Sequence, residues 1–141
     1  MQIFDSWAGM LNANLYDEFC MPYLKRITDE IQTAPKIVFS KGAYFALDKI
    51  HALDAQVTGL DWTMSAKSYR ATYGFEQVIQ GNLDPCVLYG NNATLDKHLN
   101  QIINDFGGRH IFNLGHGVYP DTPLSQVKYL INQVKSFRYS T

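Results

Sequence analysis

What this chain lacks narrows its class before any motif is read. Cysteine is scarce: Cys20 and Cys86 have neither the spacing of a disulfide pair nor that of a metal site. That usage fits reduced thiols and predicts a cytoplasmic protein. Charge of one sign is also missing. The formal net charge is -1 with 18% charged residues, which gives no electrostatic case for nucleic acid or an anionic membrane as partner. Long apolar runs are absent, so no bilayer-spanning stretch is expected. Met1 to Gly9 has no basic segment and already carries Asp5, unlike a secretory leader. No linker or low-complexity tract interrupts the sequence, and residues 1–141 are expected to form one domain. What is present is 46% apolar residues, enough for a core.

The apolar residues are organised as short strand-like runs followed by helix-like ones, in five rounds. The strand runs are 2–5, 36–39, 56–60, 76–79 and 110–114. Pro35 marks the start of the second. After the first run, 16–31 reads as one helix, with Leu15, Phe19, Tyr23, Leu24, Ile27 and Ile31 in a stripe at three- and four-residue steps. A second helix is read over 43–52. In the fourth round, Thr94 is placed to cap a helix with Leu95, Leu99, Ile102, Ile103 and Phe106 on one face, stopped by Gly107-Gly108. Thr122-Pro123 reads as N-cap and first residue of the last helix, whose face is Leu124, Val127, Leu130, Ile131 and Val134. Short apolar strands alternating with helices predict an α/β fold with a parallel sheet buried on both faces.

Polar residues and glycines gather where these strands end: Asp5-Ser6, Ser40-Lys41-Gly42, Asp61-Trp62, Gln80-Gly81-Asn82 and Gly115-His116-Gly117. Any one such group is an ordinary strand-to-helix turn. Five in series favour a site, because parallel α/β folds build ligand sites at the carboxyl ends of their strands.

Four of these segments carry a family resemblance. Gln2-Ile3-Phe4-Asp5-Ser6-Trp7-Ala8-Gly9 resembles the QIFDSWAG segment of uroporphyrinogen decarboxylases, and Gly59-Leu60-Asp61-Trp62-Thr63 resembles their GLDWT. Gln80-Gly81-Asn82-Leu83-Asp84-Pro85 is similar to their QGNLDP, and Phe112-Asn113-Leu114-Gly115-His116-Gly117 to their FNLGHG. The resemblance implies a (β/α)8 barrel acting on uroporphyrinogen, a tetrapyrrole with eight carboxylates. Four acetate groups lose carbon dioxide, giving coproporphyrinogen, with no metal or other cofactor. The full-length family is homodimeric. This chain then corresponds to strands four to eight, a partial TIM barrel, since a complete one needs roughly 250 residues. The chain is expected to be an incomplete, carboxyl-terminal piece.

The resemblance also implies roles. Ser6 matches a substrate-contacting hydroxyl, a group able to donate to a carboxylate without adding charge; its ordinary alternative is to cap the next turn. Phe4 matches a residue lining the tetrapyrrole pocket, although a strand phenylalanine is equally at home in a core. His116 matches a substrate-contacting histidine, and its flanking glycines let a ligand approach the backbone closely. Lys41, Asp61, Gln80, Gly81 and Asn82 are candidates for the cleft lining. His51, His98 and His110 read as ordinary. No residue is assigned as the catalytic acid, and no metal ligand is expected.

Arginine is missing where such a substrate wants it. Its planar fork suits carboxylates, yet Arg26, Arg70, Arg109 and Arg138 all lie outside the strand-end groups. In the family the substrate-binding arginines and the aspartate that holds the pyrrole nitrogens come from the amino-terminal part. The chain alone is therefore expected to be inactive. The alternatives are a zinc-dependent methyltransferase of the same superfamily, or a non-catalytic fragment or assembly module.

Overall fold

A computed structural model describes residues 1–138. Five strands, β1 (Gln2–Asp5), β2 (Ile37–Ser40), β3 (Val57–Gly59), β4 (Val78–Leu83) and β5 (His110–Leu114), form one sheet in chain order. Every neighbouring pair is parallel. Between and after the strands run α1 (Ala13–Phe19), α2 (Met21–Glu30), α3 (Leu47–His51), α4 (Ala66–Tyr73), α5 (Asn92–Phe106) and α6 (Leu124–Ser136). This is the expected α/β arrangement, an open five-strand segment of a (β/α)8-type barrel.

The register assigns the two faces. Phe4 lies opposite Phe39, Phe39 opposite Gly59, Gly59 opposite Gln80, and Gln80 opposite Ile111, so one row crosses the whole sheet on a single face. The neighbouring row, Ile3, Val38, Thr58, Ile79 and His110, faces the other way. That second face carries the helices. Val38 packs with Tyr16, Leu24 and Ile50; Ile79 with Leu60, Tyr69 and Phe106; Leu83 with Leu88, Leu95, Leu99 and Leu130. The first face is left to a cavity.

Several boundaries differ from expectation for local reasons. The helix expected over 16–31 breaks at Cys20 into α1 and α2. Pro22 has no N–H to donate, and its ring crowds the carbonyl one turn back, so a single helix cannot run through it. Of the expected stripe only Leu24 is buried, with Ile31 half-buried. Leu15, Phe19, Tyr23 and Ile27 remain 39, 57, 63 and 42% exposed, while Tyr16, Leu24 and Thr28 are buried. Tyr16 gains a hydrogen bond there, its hydroxyl meeting Ser40 Oγ at 3.0 Å. The helix over 43–52 is a 3₁₀ turn, Tyr44–Ala46, followed by α3. Asn91, not Thr94, caps α5, accepting from the Thr94 N–H at 2.9 Å, while Gly107 ends that helix as expected. Pro123 stands at the N-cap of α6, one residue later than read, and Leu124 and Ile131 on its expected face are exposed. Burial on both faces holds for β2, β3 and β4 only. Edge strands β1 and β5 have a neighbour on one side, and Phe4 and Ile111 are 66 and 40% exposed.

The amino-terminal ends of the strands hold polar clusters with no counterpart in the reading of the sequence. Arg70 of α4, 4% exposed, donates to the carbonyls of Phe106, Gln77, Gly108 and Arg109. Gln77 Oε1 accepts from Tyr69 Oη at 2.6 Å and Thr58 Oγ1 at 2.9 Å, with His51 Nδ1 at 2.9 Å. Lys36, buried, donates to Thr28 O and to Asp54. These groups fasten the base of the sheet.

Candidate active site

At the carboxyl ends of the strands, the face without helices encloses a cavity of about 330 Å³. Strand alternation places its lining: Gln2, Phe4 and Ser6 come from β1 and the residue after it, and Phe39 from β2. Gln80 comes from β4, Asn113 from β5, and His116 from just beyond β5. The rings of Phe4 and Phe39 meet edge to face with centroids 6.0 Å apart, forming an apolar wall. Opposite polarity is supplied by the amides of Gln2, Gln80 and Asn113, the Ser6 hydroxyl and the His116 imidazole. Every one of these polar groups can hydrogen-bond a carboxylate or a pyrrole ring without bringing a permanent charge.

Four residues singled out in the sequence, Phe4, Ser6, Gln80 and His116, thus come to one cavity. The other four do not line it. Asp61 is 1% exposed, and its carboxylate accepts from the Gly42 N–H at 2.5 Å, the Thr63 N–H at 2.7 Å and the Thr63 hydroxyl at 2.6 Å. It clamps the loop after β2 to the loop after β3. Asn82, also buried, donates from Nδ2 to the carbonyls of Asp61 and Met64 at 2.8 and 2.7 Å. Gly81 lies inside β4, not after it, with φ +132°, and the Gly81–Asn82 peptide bond is cis. An added Cβ would stand 2.5 Å from Leu60 O, so only glycine fits this close approach. Its carbonyl accepts from His110 Nε2 at 2.7 Å. Burial drives the His110 pKa down to about 4, which keeps the ring neutral near pH 7.

Lys41 directs its ammonium over the indole of Trp62, 5.4 Å from the ring centre, and His116 stacks on the same indole at 5.8 Å and 21°. Asn113 and Gln2 were missed. The signal available was a polar residue at the inward position of an otherwise apolar strand. Trp62 as a support for His116 had no local signal, because the contact joins loops more than fifty positions apart. Among residues 1–138, no three histidine, cysteine, aspartate or glutamate side chains converge as metal ligands.

A parallel βα sheet in chain order, with its cavity at the strand carboxyl ends, defines a protein of the (β/α)8-barrel class. Structural comparison agrees: a methyltransferase from Methanosarcina mazei superposes with a TM-score of 0.81 over 96% of this chain and 41% of that one, at 19% identity. At that identity the likeness concerns the fold alone. Sequence comparison defines the family. Residues 1–137 match the profile of uroporphyrinogen decarboxylase (URO-D), and the chain belongs to that family. It is 38% identical over 140 residues to uroporphyrinogen decarboxylase of Christiangramia forsetii, covering 98% of the chain and 41% of that protein. To the Ovis aries uroporphyrinogen decarboxylase it is 39% identical over 144 residues, covering 95% of the chain and 39% of the relative. The chain thus spans about two fifths of the curated relatives it matches.

Proposed function

We propose that this chain is the carboxyl-terminal part of a uroporphyrinogen decarboxylase, converting uroporphyrinogen III to coproporphyrinogen III with loss of four carbon dioxide molecules. The observation that carries the reading is the meeting of Phe4, Ser6 and His116 around one cavity, although they are separated by up to 112 positions of sequence. In this reading the Phe4–Phe39 wall faces the macrocycle and the Ser6 hydroxyl donates to a substrate carboxylate. His116 contacts a second carboxylate or a proton in transfer. No metal or prosthetic group is required, the protein works in the cytoplasm, and the complete enzyme is a homodimer. Residues 1–141 supply one side of the site and are inactive alone, because the arginines and the pyrrole-holding aspartate belong to the remainder of the enzyme. A zinc-dependent methyltransferase would need thiolate and imidazole donors converging on one point. Here Cys20 joins α1 to α2, Cys86 sits in the 3₁₀ turn after β4, and His116 lies on Trp62.

The test is a protein joining the amino-terminal part of a curated relative to residues 1–141. Incubated anaerobically with uroporphyrinogen, it is expected to give hepta- to tetracarboxylate products, separated as porphyrins after oxidation. The chain alone is expected to give none. A folded joined protein that forms no product overturns the proposal.

A further inference from the structure

His116 sits in a segment that does little to hold it: it is exposed, follows buried Gly115 and precedes exposed Gly117. Its ring nevertheless has a defined place, stacked on Trp62 at 5.8 Å with 21° between planes. Two independent features create that contact. Gly115 lets the end of β5 touch the loop after β3: a Cβ at 115 would stand 2.3 Å from Trp62 N and 2.8 Å from Trp62 Cβ. On the other side, Asp61 fixes the start of that loop through its bonds to Gly42 and Thr63, and Asn82 holds it from β4 through the Asp61 and Met64 carbonyls. The indole therefore stands on a rigid base, and Lys41 directs its ammonium to the same ring at 5.4 Å. Trp62 itself does not line the cavity, whereas His116 does.

We infer that Trp62 is a positioning residue: its indole holds the His116 imidazole against the cavity, in the orientation that receives a substrate carboxylate. The carboxylate clause rests on the function proposed above; the positioning does not. An imidazole on a glycine-flanked loop samples many rotamers, and each one frozen before binding removes an ordering cost from the ligand. Stacking on an indole supplies the restraint without occupying either ring nitrogen. Both nitrogens stay available to the cavity.

The test has two readouts, ring signals in the 141-residue chain and ligand binding in the joined protein described above. The His116 ring signals, assigned by their loss in His116→Asn, are followed by nuclear magnetic resonance in wild type, Trp62→Phe and Trp62→Leu. Shielding by the indole should place them upfield in wild type. They should move part of the way downfield in Trp62→Phe and the whole way in Trp62→Leu. Binding of uroporphyrin, the stable oxidised octacarboxylate, is measured alongside. Affinity should fall roughly three- to tenfold in Trp62→Leu and recover to within about twofold of wild type in Trp62→Phe. Ring signals that do not differ among the three proteins overturn the inference, as do shifted signals with unchanged uroporphyrin affinity. If Trp62→Leu does not fold, the Trp62→Phe signals decide. If the joined protein with wild-type Trp62 binds no uroporphyrin, the functional reading fails while the ring shifts still decide whether Trp62 holds His116.

Discussion

Replacing Arg70 by methionine should be among the most damaging single changes in this chain, although the residue is far from the cavity. The residue is 4% exposed, and its guanidinium bonds to Phe106 O at 3.0 Å, Gln77 O at 2.8 Å, and Gly108 O and Arg109 O at 3.1 Å each. These carbonyls belong to the turn before β4 and to the segment joining α5 to β5. One side chain thus fastens two neighbouring strands at their amino-terminal ends. Four bonds to a charged donor, at about 1 kcal/mol net each, put roughly 4 kcal/mol at stake. Methionine recovers about 1 kcal/mol by burying an apolar chain of similar length and removing a buried charge. A net loss of about 3 kcal/mol is expected, equivalent to roughly 10 °C in melting temperature for a chain of this size. Arg70→Lys keeps the charge but not the planar fork, and should lose about 2 kcal/mol. Urea titrations followed by far-ultraviolet circular dichroism, for both variants and wild type, measure the differences. A loss below about 1 kcal/mol in Arg70→Met would show that the carbonyls are equally well served by water and refute the reasoning.

Gly81→Ala should destabilise by roughly 2–4 kcal/mol, since its Cβ would meet Leu60 O at 2.5 Å at φ +132°; a urea midpoint within error of wild type would contradict this. His110, neutral in the fold with a pKa of about 4, contributes stability that is complete above its unfolded value near pH 6.5 and is lost as pH falls through 4. Allowing for its partial exposure, the loss should be about 1–2 kcal/mol, and it should disappear from the difference between wild type and His110→Gln measured from pH 7 to 4. Asp61→Asn leaves one amide N–H facing the Gly42 or Thr63 donors and should cost about 2–3 kcal/mol in chemical denaturation, with equal stability counting against the clamp.

The strands were legible because each is a short apolar run whose neighbours are helices. What stayed hidden follows from particular residues. Gln80-Gly81-Asn82 has turn composition, so β4 reads as ending at Ile79; pairing with Ile111, Phe112 and Asn113 carries it on to Leu83. Helix α4 announces no apolar stripe because its buried face includes Arg70, whose burial depends on carbonyls that are distant in sequence. The stripe of Leu15, Phe19, Tyr23, Leu24, Ile27 and Ile31 misleads at every position but Leu24 and, in part, Ile31, because periodicity reports an apolar face without reporting what covers it. In the site, Phe4, Ser6 and His116 were legible through motif resemblance and position at strand ends. The Gly42–Asp61 and Trp62–His116 contacts were not, since they join separate loops and leave no spacing signature.

The polarity of the cavity constrains what it can hold under the proposed function. Among residues 1–138, all four arginines are engaged elsewhere. Arg26 pairs with Glu30 along α2, and Arg70 binds the base carbonyls. Arg109 bonds to Glu76 O, and Arg138 to the Lys135 and Phe137 carbonyls. The cavity wall offers amides, a hydroxyl, an imidazole and aromatic edges. Burying a carboxylate against such a wall without a cation costs several kcal/mol, more than one or two neutral hydrogen bonds return. The uncharged part of a tetrapyrrole has no such cost and gains from the Phe4–Phe39 surface. The arrangement therefore suits a pyrrole ring lying against that surface, with acid side chains confined to the exposed edge at Ser6 and His116. The other carboxylates of the substrate must then meet cations supplied by residues outside these 138, which is why the joined protein and the chain alone are expected to differ in activity.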